Sequence, residues 1–141
     1  MSGAVDYLAG HDAVTGEGLG VIGFCMGGGV ALWLATLRPD QIKAAVPFYG
    51  IIPWEAVQPD YSKLAALVQG HYAENDDFAN PESVRALDAQ LKSLGKQAEF
   101  FEYPGTGHAF TNEQNSEGYA PDATAVAFGR AFAFLHEQLA S

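Results

Sequence analysis

The stretch Val21-Ile22-Gly23-Phe24-Cys25-Met26-Gly27-Gly28-Gly29-Val30 constrains this chain more than any other. An unbroken apolar run, Leu19 to Phe24, leads into the only cysteine. Such a run predicts a strand buried on both faces. Three glycines follow, and Ala31-Leu32-Trp33-Leu34-Ala35 then reads as a buried helix. The grammar is strand, sharp turn, helix, with a thiol at the apex. Gly23-Phe24-Cys25-Met26-Gly27 has the form G-x-C-x-G, a nucleophile elbow with sulfur in place of the serine oxygen.

The rest of the chain alternates in the same way. Ala4 to Leu8 reads as an amphipathic helix end, and 15–18 as a loop. Val30 to Leu37 is helical and is stopped by Arg38-Pro39-Asp40. Ile42 to Gly50 is the second strand, with Pro47 near its end, where a missing N–H costs least. Ile51 to Tyr61 is an excursion loop with aromatic content, and Ala66 to Tyr72 a third strand. Asn80-Pro81-Glu82 starts a helix: a capping Asn, Pro in the first turn and an acid at the positive dipole end. Val84, Leu87, Leu91 and Leu94 repeat at helical spacing, and Gly95 ends it. Gln97 to Tyr103 is the fourth strand, with Phe101 and Tyr103 on one face and Phe100 on the other. Pro121-Asp122 opens the last helix.

Strands alternating with helices imply parallel βαβ units in a three-layer α/β sheet, here one domain spanning 1–141. In such sheets the working residues lie in loops after the strands. Three of these loops hold Cys25, then Asp76 and Asp77, then His108. Nucleophile, acid, base is the order of an α/β-hydrolase. A thiol at a helix start is favoured as thiolate, and a paired imidazole favours it further. The Met26 N–H would form half of an oxyanion hole. Singly, Cys25 reads as a small buried hydrophobe, His108 as a loop residue and Asp76/Asp77 as solvated caps. Three matches at successive strand ends favour a triad.

Other classes fit less well. A net charge of −10 with only 7 Lys and Arg argues against nucleic acid and anionic membrane surfaces as partners. No apolar run approaches the roughly 18 residues of a membrane span, and the first residues lack signal-peptide blocks. A single cysteine excludes an intrachain disulfide and suggests a reducing cytoplasm. Gly18-Leu19-Gly20-Val21-Ile22-Gly23 matches G-x-G-x-x-G, but no strand precedes it, so no nucleotide cofactor is expected. His71 and His136 read as incidental, and no cluster has metal-ligand spacing.

Gly23-Phe24-Cys25-Met26-Gly27-Gly28, Pro47-Phe48-Tyr49-Gly50, Glu74-Asn75-Asp76-Asp77-Phe78 and Tyr103-Pro104-Gly105-Thr106-Gly107-His108-Ala109-Phe110 together resemble the dienelactone hydrolase family. The resemblance runs from about Ala4 to the end. It implies a cofactor-free hydrolase that opens a lactone or cleaves an ester through an acyl-cysteine. By resemblance Cys25 is the nucleophile, His108 the base and Asp76 the acid. Asp76 matches better than Asp77 because the family acid usually stands two residues before an aromatic such as Phe78. Tyr49 lies at a position near the family's substrate pocket, and Phe78 and Phe110 are further candidate substrate contacts.

Two departures stand out. Dienelactone hydrolase carries an arginine four residues after the triad histidine, which holds the substrate carboxylate; here that residue is Asn112. Family members are also longer, with strands before the elbow strand and a loop that gives the second oxyanion N–H. The expectation is therefore an α/β-hydrolase-type sheet truncated N-terminally to about four strands. Its elbow strand, central in the full fold, becomes an edge near Val21–Phe24. An apolar edge invites pairing, so a homodimer or a companion chain is expected. The competing expectation is an inactive truncated homologue serving as an interaction domain.

Overall fold

The computed structural model describes residues 2–16 and 18–140. Glu17, in the expected loop before the first strand, lies outside the described residues. The order is α1 (Ser2–Ala9), β1 (Leu19–Phe24), α2 (Met26–Leu37), β2 (Ile42–Phe48), a 3₁₀ turn (Tyr61–Lys63), β3 (Leu67–Asn75), α3 (Pro81–Ser93), β4 (Ala98–Gly107) and α4 (Pro121–Leu139). The four strands form one sheet in the order β1-β2-β3-β4, every neighbouring pair parallel. This is the expected α/β architecture.

Alternation along the strands sorts the core into two layers. On one face Ala45 and Val68 pack with Leu32 and Ala35 of α2, Leu87 and Leu91 of α3, and Val5 of α1. On the other, Val46, Phe48, Ala73 and Tyr103 pack against Ala127 and Ala131 of α4. Phe101 joins this second layer and Phe100 the first, as the pattern predicts. Asn80 caps α3 by accepting from the Ser83 N–H at 2.9 Å.

Several boundaries differ from expectation: β2 ends at Phe48 rather than Gly50, and β3 runs to Asn75 rather than Tyr72. Helix α2 starts at Met26, not Val30, so the glycines lie inside it. Glycine is a poor helix former, but a Cβ on Gly29 would lie 2.5 Å from the Ile51 carbonyl carbon. Close packing onto the segment after β2 outweighs propensity there. A Cβ on Gly27 would meet open space, so bulk is not excluded at that position. Strand β4 also runs past its expected end at Tyr103 to Gly107, because Gly107 still pairs with Asn75. Leu19–Gly23 of the Gly18–Gly23 run lie in β1 itself, so the run is strand and not a strand-to-helix turn.

His71 is not incidental to the packing. It is fully buried and stacks on Phe48 and Phe101 at 4.5 and 5.7 Å. Its Nδ1 lies 2.9 Å from the Tyr103 hydroxyl, and its Nε2 has no partner. Burial, helped by the Arg130 charge, pushes its pKa down to about 4. Unfolded, it titrates near 6.5. Below that pH the unfolded chain takes up a proton that the folded chain refuses. Stability should therefore fall between pH 6.5 and about 4 and level off below. In urea titrations, wild type should lose about 3 kcal/mol more than His71→Gln over this range. Parallel stability curves would contradict this account.

Candidate active site

The elbow is built by two close approaches. A Cβ on Gly23 would sit 2.0 Å from the Gly27 carbonyl oxygen, and one on Gly50 would sit 1.9 Å from the Cys25 carbonyl oxygen. Any side chain at either place would push the turn open. Cys25 itself has φ 54° and ψ −130°, a strained conformation for a residue with a Cβ. Its N–H donates to the Phe48 carbonyl at 3.0 Å, which ties the turn to β2. The strained turn lifts the sulfur off the end of β1, directly ahead of α2.

Asp76 follows β3, and its side chain is buried. One oxygen, Oδ1, accepts from the N–H groups of Phe78 and Ala79 at 2.8 and 3.0 Å. The other, Oδ2, lies 2.8 Å from Nδ1 of His108. Across the imidazole, Nε2 lies 3.1 Å from Sγ of Cys25. Asp77 is exposed and makes none of these contacts. Three loops, after β1, β3 and β4, thus converge on one chain of hydrogen bonds from carboxylate to thiol.

The loops are braced from outside the chain of contacts. The Glu74 carboxylate accepts from the Gly105 N–H at 2.7 Å. The histidine turn is closed by Asn112 N–H donating to the Ala109 carbonyl at 2.9 Å. Met26 is the first residue of α2, so its N–H has no partner one turn back in the helix and is available beside the sulfur. It is half exposed, as Cys25 and His108 are in part.

The aromatic candidates divide. Phe78 is half-buried and meets His108 edge-on, 5.4 Å away at 69°. Tyr49 meets the same ring at the same distance and angle but is buried. Burial raises its hydroxyl above the ordinary tyrosine range, the Thr111 hydrogen bond opposes this, and the nearby Cys25 adds to it. Tyr49 is therefore a neutral hydroxyl, free to donate to or accept from Thr111. Phe110 is fully buried between Tyr49 and Tyr103. In this structure Tyr49 packs on His108, Phe110 packs on Tyr49, and only Phe78 of the three borders solvent. Thr111, not singled out in the sequence, bonds the Tyr49 hydroxyl at 2.5 Å.

Chemically, a carboxylate orients an imidazole, the imidazole can take the thiol proton, and a helix start offers an N–H to a developing oxyanion. That is the equipment of acyl transfer.

Comparison with known proteins agrees on the family. The model described as "Dienelactone hydrolase family" matches residues 1–139. "Protein usf" of Aquifex pyrophilus is 31% identical over 136 residues, covering 96% of this chain and 58% of its own. A "Putative carboxymethylenebutenolidase" of Saccharolobus solfataricus is 34% identical over 138 residues, covering 92% and 49%. The chain thus spans about half the length of the curated relatives it matches. A solved dienelactone hydrolase-like promiscuous phosphotriesterase from metagenomic libraries superposes with a TM-score of 0.85. It is 22% identical and covers 98% of this chain and 59% of that one, a likeness of fold. The family match takes in the elbow and both later loops at once, and the chain belongs to the dienelactone hydrolase family.

Proposed function

We propose that this chain carries the reacting groups of an ester or lactone hydrolase working through an acyl-cysteine. Cys25 is the nucleophile, His108 the base and acid, Asp76 the orienting carboxylate and Met26 N–H an oxyanion donor. The continuous contact from Asp76 Oδ2 through His108 to Cys25 Sγ, at 2.8 and 3.1 Å, is the observation that carries this reading.

The sulfur attacks the carbonyl carbon while His108 holds the thiol proton. The tetrahedral intermediate collapses, the C–O bond breaks, and His108 returns the proton to the leaving alkoxide. A water then gives a proton to His108 and attacks the thioester. This releases the acid, and the thiol regains its proton. Asn112 offers no positive charge to a carboxylate, and the chain's net charge is −10, which favours an uncharged ester or lactone. The thiol must stay reduced, so the cytoplasm is the setting we propose.

The competing reading, an inert interaction domain, has less support, because decay of catalysis would leave no reason to keep the buried carboxylate aimed at the imidazole. The edge does support a larger working unit. Among the described residues, β1 has a partner strand on one side only. Ile22 and Phe24 on it, and Phe132 on α4, are 38%, 40% and 60% exposed. A homodimer or a companion chain seated there would cover them and could complete the oxyanion hole. In sedimentation, Ile22→Lys should shift the protein to a monomer; a wild type already monomeric and fully active would rule this out.

The test of the hydrolase reading is dependence on the thiol. Alkylation of Cys25 by iodoacetamide should abolish hydrolysis of p-nitrophenyl acetate. Hydrolysis that survives complete alkylation would sink it.

A further inference from the structure

His108 is held in two ways. Its nitrogens are tied to Asp76 and Cys25. Its ring is met edge-on by Phe78 and by Tyr49, each 5.4 Å away. Phe78 is anchored through its own N–H, which donates to Asp76 Oδ1 at 2.8 Å. Tyr49 is anchored elsewhere. Its hydroxyl lies 2.5 Å from Oγ1 of Thr111, 62 residues away in sequence. Among the described residues this is the one side-chain hydrogen bond joining the segment after β2 to the turn that carries His108.

One end of that bond sits in strained backbone, and the other lies two residues past a strained position. Tyr49 has φ 36° and Ala109, two residues before Thr111, has φ 59°. Bulky residues adopt positive φ only when their surroundings over-determine it. The surroundings of Tyr49 are visible: its N–H donates to the His71 carbonyl at 2.7 Å, and Gly50 beside it is wedged against the Cys25 carbonyl. The backbone is thus fixed by the elbow and β3. The ring is 3% exposed and packs on Phe110. What remains is the tilt of the ring against the imidazole, and the hydroxyl bond sets it.

We infer that Thr111 is a positioning residue whose hydroxyl, acting through Tyr49, holds the His108 imidazole in line with Cys25 Sγ. Asp76 anchors Phe78 against the ring, and Thr111 anchors Tyr49 against it. The loss of one hydroxyl therefore loosens the base without removing any group that touches substrate.

This inference rests on the reading of Cys25 and His108 as a reacting pair, so its test reads that pair as well as turnover. Cys25 is the only thiol, and its alkylation by iodoacetamide needs no knowledge of the substrate. A thiol paired with an imidazole is alkylated under mildly acidic conditions where a free thiol is not. Thr111→Val keeps the shape and removes the hydroxyl. It should lower alkylation at about pH 6.5 about tenfold, with little change near pH 9, where a free thiol reacts unaided. Turnover of p-nitrophenyl acetate should fall by the same factor, with KM within about twofold. Thr111→Ser should restore both. Tyr49→Phe should match Thr111→Val, and the double variant should be no worse than either, because both remove one bond.

Wild-type alkylation ratios in Thr111→Val, or losses that add in the double variant, would overturn the inference. If Thr111→Val does not fold, Tyr49→Phe decides on the same ratio. If wild type reacts at pH 6.5 no faster than His108→Ala, the pairing itself fails and the inference falls with it.

Discussion

Asp76→Asn should cost about 10³- to 10⁴-fold in kcat while leaving KM within about twofold. The buried side chain has no freedom to compensate. Its Oδ1 accepts from two backbone N–H groups, so an asparagine keeps its oxygen there. The NH₂ group then faces Nδ1 of His108 across the former 2.8 Å contact. Two donors cannot share that contact, so Nδ1 must become an acceptor and the ring proton must move to Nε2. Nε2 then points a hydrogen at Cys25 and cannot take the thiol proton. Asp77→Asn is the matched control. Asp77 is exposed and outside the contact chain, so its variant should keep wild-type rates. Steady-state kinetics on both variants checks this. Retention of more than about a tenth of the activity by Asp76→Asn would remove the acid from the account.

Cys25→Ala should lose about 10³-fold or more of esterase activity. No other described side chain stands within reach of His108 Nε2 to replace the sulfur. The thiol is only partly buried and caps nothing, since the start of α2 has no side-chain cap. Thermal midpoint should therefore change little, which separates lost chemistry from lost fold. Cys25→Ser should fall between wild type and Cys25→Ala. A hydroxyl is much less acidic than a thiol, and this base is set for a bulkier atom 3.1 Å away. Equal rates for wild type and Cys25→Ala would exclude the thiol mechanism.

Much of this was legible in the sequence, for identifiable reasons. β1 occupies Leu19–Phe24 as its apolar run requires, and α3 begins at Pro81 behind its Asn80 cap. Both signals are local. The approach of Cys25, Asp76 and His108 was legible because parallel βαβ topology delivers every strand end to one side. Asp76 over Asp77 was a matter of resemblance in the sequence; in the structure it is burial and two backbone donors that separate them.

Other features were not legible. The glycines of α2 join the helix because of what packs on Gly29, a tertiary cause that propensity does not see. Tyr49 and Phe110 suggest substrate contacts, yet both lie just past strand ends and pack into the core, a tertiary outcome that the sequence does not mark. The Tyr49–Thr111 bond spans 62 residues and has no sequence signature. His71 reads as incidental because a buried imidazole is indistinguishable, in one sequence, from an exposed one.

The most direct test of the central claim is to trap the acyl-enzyme. The protein is mixed with excess p-nitrophenyl acetate, quenched in acid during the first turnovers and analysed by peptide mass spectrometry. An acetyl thioester on the peptide carrying Cys25, formed with a burst of p-nitrophenol and absent from Cys25→Ala, is the predicted result. Steady hydrolysis with no acyl group on Cys25 would contradict it.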